Sequence, residues 1–275
     1  MKNMDYVLRN FFTHKDYLAP AAQIPGTIFT PLHFLFSAAL LTLITFSSVY
    51  VSRRKRLIRP VLASVWILMV IWEFVIVYWD SVAGKVTGLD LQTGLSLYPC
   101  SIYLFAMPII LWGKGLSKQA CCGYLCTLGL LGAVINFIFP LTILINYSCI
   151  SFAGFHTFGF HGAMLFSYLV VILSGIHRYD MVTGWQSLIL PSVPGLIMSI
   201  PANLVNYALD ADYMFFRGKF PVVARVFGNT RTCVITLVIY TLYIVIPALF
   251  YLPAYLHNRR LAEEEELMVA AAEYI

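Results

Sequence analysis

Cys100, His161, His33 and Glu73 are side chains that can attack a carbonyl carbon or move a proton, and all four fall in apolar stretches of the chain. A thiol becomes a nucleophile when it loses its proton, and histidine is the base best matched to neutral pH. A carboxyl group at membrane depth must be neutral, paired or facing a wet cavity. Cys100 stands directly after Pro99 in "LSLYPCSIYLF" (95–105). Proline in a span frees a backbone carbonyl and kinks the helix, so the thiol beside it reads either as packing or as a nucleophile. Cys121, Cys122, Cys126 and Cys233 read as small hydrophobes. With Cys149 the six cysteines form no paired CxxC motifs, which excludes a zinc site or a disulfide framework. No metal or other cofactor is expected.

The elements that must carry these residues are membrane helices. The chain of 275 residues is 60% hydrophobic and 11% charged, with a mean hydropathy of +0.80, far from a soluble domain. Apolar runs near 28–51, 60–82, 95–113, 119–140, 157–176, 186–207 and 231–256 are each about 20 residues, enough to cross a hydrocarbon core of roughly 30 Å. The expected fold is all-α: about seven transmembrane helices in one bundle over residues 27–256. It would follow an interfacial segment over 1–26, which has no continuous apolar stretch and so does not read as a cleaved signal peptide. A charged helical tail over 257–275 would close the chain.

Basic residues set the expected orientation. "SRRKRLIR" (52–59) carries five, and the connections after the third, fifth and seventh spans add two, one and two. The opposite side has eight, four of them in the long 208–231 connection. Short loops weigh most, so the N-terminus is placed outside and the C-terminus in the cytoplasm of a multi-pass cell-membrane protein. The net charge of +5 belongs to this topology and does not point to nucleic acid.

With span directions assigned, the polar groups cluster. His33, Asp80, Cys100, Asn136, His161, Asn203 and Asn206 fall within roughly 10 Å of the outer boundary at about 1.5 Å per residue, while Glu73 lies deeper. The sixth span, "PSVPGLIMSIPANLVNY" (191–207), carries Pro191, Pro194, Gly195 and Pro201. It is expected to be broken and to border a cavity, since irregular backbone at depth needs protein or water to satisfy it. The cavity mouth is assigned to "ALDADYMFFRGKFPVVARVFG", whose Arg217, Lys219 and Arg225 would either receive a phosphate or other anionic head group or form a solvated loop.

Six segments taken in order, "FTPLHF" (29–34), "IWEFVIVYWD" (71–80), "LYPCSI" (97–102), "GLLGAVINFIFP" (129–140), "FHGAML" (160–165) and "NYALDADYMFFRGKFP" (206–221), resemble the YwaF-type bacterial integral membrane proteins. That family is related to an animal transmembrane acyltransferase that remodels ether phospholipids. The resemblance runs from about residue 29 to about 250. It implies that Cys100 matches the family's proposed nucleophile and that His161 matches a family histidine. The family histidine two positions before the cysteine is Tyr98 here, and Pro99 stands for a leucine. On this basis His161 would take the Cys100 proton, the thiolate would hold an acyl group as a thioester, and a lysolipid or water would receive it. Asn136, Asn206 or freed backbone N–H groups would stabilise the oxyanion, and Glu73 or His33 would orient His161.

The expected partners are membrane lipids, among them a phospholipid or other acyl donor. The leading function is a lipid acyltransferase or hydrolase using a Cys–His pair near the outer face. Two alternatives stand beside it: a proton-coupled transporter or binder of a small amphiphile built on the buried Glu73, and a membrane component without chemistry.

Overall fold

The computed structural model describes residues 2–85, 88–180 and 184–273. Residue 1 of the interfacial segment and residues 274–275 of the tail therefore lie outside the described residues. The helices in chain order are α1 (Lys2–Arg9), α2 (Pro31–Ser52), α3 (Lys55–Ala83), α4 (Ile102–Trp112), α5 (Gly115–Tyr124), α6 (Leu130–Ile138), α7 (Phe152–Leu173), α8 (Gln186–Ile189), α9 (Val193–Leu209), α10 (Pro221–Phe227) and α11 (Thr232–Glu273). A π turn at Leu125–Gly129 joins α5 to α6, and a 3₁₀ turn at Leu190–Ser192 joins α8 to α9. Six of the resulting stretches are long and apolar enough to cross a membrane, and the eleven-residue α4 adds a shorter apolar helix. The protein is an all-helical, multi-pass membrane bundle.

Local chemistry sets the helix starts that matter. Pro31 opens α2, with the Thr30 hydroxyl accepting from the His33 N–H at 3.4 Å, and the Ser151 hydroxyl caps α7 by accepting from the Gly154 N–H at 3.1 Å. In the α5–α6 span the Thr127 hydroxyl donates to the Gly123 carbonyl at 2.8 Å, beside the π turn. The α5–α6 and α7 spans are the centre of the bundle: 61% of the apolar window of each is buried, against 11% for α3. α7 packs against α2, α3 and α6.

Two spans differ from expectation. The third is helical only from Ile102, so residues 95–101 are a chain of turns. Pro99 has no N–H to give a helix and disfavours helical backbone at Tyr98, which moves the start beyond the proline. The sixth is nearly continuous from Gln186 to Leu209. Its prolines are absorbed by the 3₁₀ turn at Pro191, by Pro194 in the first turn of α9 and by Pro201 within that helix. The Thr232–Glu273 helix runs without a break from the last span into the charged tail.

The segment before α2 folds over one end of the bundle. The Phe152 N–H donates to the Phe11 carbonyl at 3.0 Å, the Trp79 indole to the Phe12 carbonyl at 3.0 Å, and the Lys15 N–H to the Tyr147 hydroxyl at 3.0 Å. His14 stands 3.1 Å from both Asp16 and Asp80. Asp16 also accepts from the Lys85 backbone N–H, which holds its carboxyl below the usual range.

Candidate functional site

Cys100 sits on the turns that precede α4. The Ser101 N–H donates to the Tyr98 carbonyl at 3.0 Å and the Tyr103 N–H to the Cys100 carbonyl at 3.1 Å. The Tyr124 hydroxyl reaches across from α5 to the Pro99 carbonyl at 2.8 Å, satisfying the acceptor that an earlier helix start would have used. At the other end of the segment, the Leu95 N–H donates to the Tyr213 hydroxyl, which itself donates to the Leu91 carbonyl, both at 2.9 Å. The sulfur lies against α6 at Gly132, where an added Cβ would be 3.4 Å from Sγ. The Cys100 backbone N–H has no partner among the described residues.

His161 faces this thiol from the third turn of α7. Its Nε2 is 3.2 Å from the Cys100 Sγ, and its Nδ1 is 2.8 Å from the Thr157 carbonyl. A carbonyl can only accept, so Nδ1 carries the ring proton and Nε2 presents its lone pair to the thiol. That is the tautomer a base needs, and the preceding turn of the same helix fixes it.

Glu73 is paired as well, with a residue that the sequence reading missed. One carboxyl oxygen accepts from the Ser96 hydroxyl at 2.8 Å and the other is 3.1 Å from the His156 Nε2. Glu73 and His156 remain 19% and 15% exposed, so neither is sealed in the core. Gly159 permits the approach of α3 to α7, because a Cβ there would come within 2.7 Å of the Trp72 ring, and Trp72 stands edge-on to His156 with ring centroids 5.8 Å apart. His156 escaped notice because the apolar run begins at Thr157. The signal was present in "FHTFGFH" (155–161), two histidines at the start of one span, opposite a carboxyl that needed a partner.

A cavity of about 490 Å³ lies beside these groups. Glu73, Tyr98, Cys100 and His156 line it, and Phe215 and Phe220 from the 210–221 connection close one side. Tyr98 packs on Tyr213 and Phe215, with ring centroids 5.1 and 6.2 Å away. The sixth span, expected to border the cavity, is not on its wall.

Other expected site residues are placed elsewhere. His33 is fully buried: its Nδ1 accepts from the Phe29 N–H at 3.3 Å, so its Nε2 donates to the Phe137 carbonyl at 3.1 Å, tying α2 to α6 away from His161. Asn206 spans both polar backbone atoms of Tyr213, donating to its carbonyl at 2.9 Å and accepting from its N–H at 2.7 Å, and so shapes the connection after α9. Asn136 is buried on α6 one turn beyond Gly132, and its Nδ2 has no partner among the described residues. Arg217 and Lys219 both pair with Asp210, at 2.9 and 2.6 Å. The Lys219 hydrogen bond and the Arg217 charge hold that carboxyl below its usual range. Lys219 also lines a second cavity of about 250 Å³ that shares Thr93, Tyr98, Phe215 and Phe220 with the first. Among the described residues no three His, Cys, Asp or Glu side chains are grouped to hold a metal ion.

The model of the TMEM164 family matches residues 27–254, from just before α2 to the last apolar turns of α11. No curated protein and no solved structure matches the chain.

Proposed function

The chain belongs to the TMEM164 family, and from that premise we propose that it is a membrane enzyme that moves acyl groups between lipids, with Cys100 as nucleophile and His161 as its base. We further place it with the YwaF-type bacterial members related to the animal ether-phospholipid acyltransferase.

One observation carries the reading: the 3.2 Å contact between a thiol and a histidine nitrogen whose partner nitrogen is committed to the Thr157 carbonyl. His161 takes the Cys100 proton, the sulfur attacks an ester carbonyl, the ester C–O bond breaks to release the lysolipid alcohol, and the acyl group is held as a thioester. The unpartnered Cys100 N–H, on a residue of the cavity wall, is the donor available to the oxyanion. A cavity of about 490 Å³ is of ligand size, and its wall of aromatic and aliphatic side chains suits an acyl chain. The second cavity suits the head group, where an anionic phosphate would compete with Asp210 for Lys219. The site end is placed outside and the C-terminus in the cytoplasm, because the five basic residues of 52–59 lie at the opposite end of α2 and α3.

The test is acyl exchange in vesicles that contain the purified protein, a phospholipid with a labelled acyl chain and a lysophospholipid. Cys100→Ser keeps the shape and lacks the nucleophilicity, and its exchange should fall at least ~10³-fold. Exchange at the wild-type rate in Cys100→Ser would contradict the proposal.

A further inference from the structure

The proposed chemistry needs two protons handled, one on the sulfur and one on the lipid oxygen, and His161 is placed for only the first. Both of its ring nitrogens are occupied, by the Thr157 carbonyl and the Cys100 sulfur, and it is not on the cavity wall. His156 is on that wall, as are Glu73 and Cys100. Its Nε2 meets a carboxyl oxygen at 3.1 Å, so Nε2 carries a proton and Nδ1 is the ring position left for a substrate. No described residue engages Nδ1, and it is not among the buried side-chain atoms that lack a partner, so it is not sealed in the core, and its residue lines the cavity.

We infer that His156, held by Glu73, is a second catalytic acid–base residue, which carries the proton of the lipid oxygen while His161 carries that of the sulfur. This rests on the acyl-transfer reading above. The scheme starts with Cys100 as a thiol, a proton only on the Nδ1 of His161, and protons on both ring nitrogens of His156, paired with the Glu73 carboxylate. In acylation the thiol proton goes to the His161 Nε2 and the C–S bond forms. The C–O bond of the donor ester breaks, and its oxygen takes the proton from the His156 Nδ1. In transfer the acceptor hydroxyl gives its proton to the His156 Nδ1 and its oxygen forms the new C–O bond. The C–S bond then breaks and the thiolate recovers its proton from His161, so every group returns to its starting state. Glu73 is a positioning residue in this scheme, since its carboxyl oxygen at 3.1 Å fixes the ring.

The experiment separates substrates that need this proton from those that do not. A p-nitrophenyl acyl ester has a leaving group stable as an anion, and hydroxylamine attacks without a base. With the full-length protein in vesicles, His156→Ala should still release a burst of p-nitrophenol that depends on Cys100, and hydroxylamine should discharge its thioester at close to the wild-type rate. Its exchange between phospholipid and lysophospholipid should fall ~10²–10⁴-fold, the span of general acid–base catalysis. Glu73→Gln should show the same selective pattern with a smaller loss. An equal loss on both kinds of substrate, which a merely structural histidine would give, would overturn the assignment, as would full lipid exchange in His156→Ala. If the wild-type protein gives no burst that depends on Cys100, the acyl-transfer reading itself fails and this assignment falls with it.

Discussion

The two ends of the bundle use the same residue types to different ends. At the cavity end, Cys100 lies on an irregular turn, 3.2 Å from a histidine and beside about 490 Å³ of open space. At the other end, Cys121, Cys122 and Cys126 are buried in the core, and no cavity adjoins them among those that hold the Glu73–His156 and Lys219 groups. His177 there is 2.5 Å from the Tyr251 hydroxyl, and the Tyr179 hydroxyl donates to the Cys126 carbonyl at 2.9 Å. His177 and Tyr251 are both buried. The contrast lies in the surroundings: at one end a thiol and a histidine meet on irregular backbone beside open space, and at the other the same residue types are packed in the core.

The comparison is sharpened most by the cavity end. If Cys100 and His161 act as one unit, His161→Ala should lower lipid acyl exchange about as far as Cys100→Ser, at least ~10³-fold, and the double variant should be no worse than either single one. Multiplying losses in the double variant, measured in the same vesicle assay, would separate the two residues. The smallest effect belongs to the other end. Cys126→Ala removes a buried sulfur from a packed site, so it should cost about 1 kcal/mol in thermal unfolding and leave exchange within a few-fold of wild type. A large loss of exchange with intact stability would mean that the packed end takes part in the reaction.

Much of the architecture was legible because membrane helices announce themselves through apolar length, and α2, α3, the α5–α6 span, α7, the α8–α9 span and α11 all coincide with such runs. The third run misled, because hydropathy counts 95–101 as span while Pro99 keeps those residues out of the helix. Depth along the chain brought Cys100 and His161 to one level, and the structure puts the Cys100 Sγ 3.2 Å from the His161 Nε2. Depth is silent on which way a side chain turns around its helix. His33 and Asn206 share that level, yet their polar atoms are spent on the Phe29, Phe137 and Tyr213 backbones. His156 sits one residue outside its apolar run, and the charges of Arg217 and Lys219 were readable where their pairing with Asp210 was not. That pairing depends on the left-handed turn at Asp210, φ 54°, which local sequence does not fix.

The most direct test of the central claim is the intact mass of the protein after brief exposure to an activated acyl ester, followed by mapping of the modified residue. The account predicts the mass of one acyl group, located on Cys100, removed by hydroxylamine and absent in Cys100→Ser, with Cys121, Cys122, Cys126 and Cys149 unmodified. An acyl group found on another residue, or none on Cys100 while lipid exchange proceeds, would contradict it.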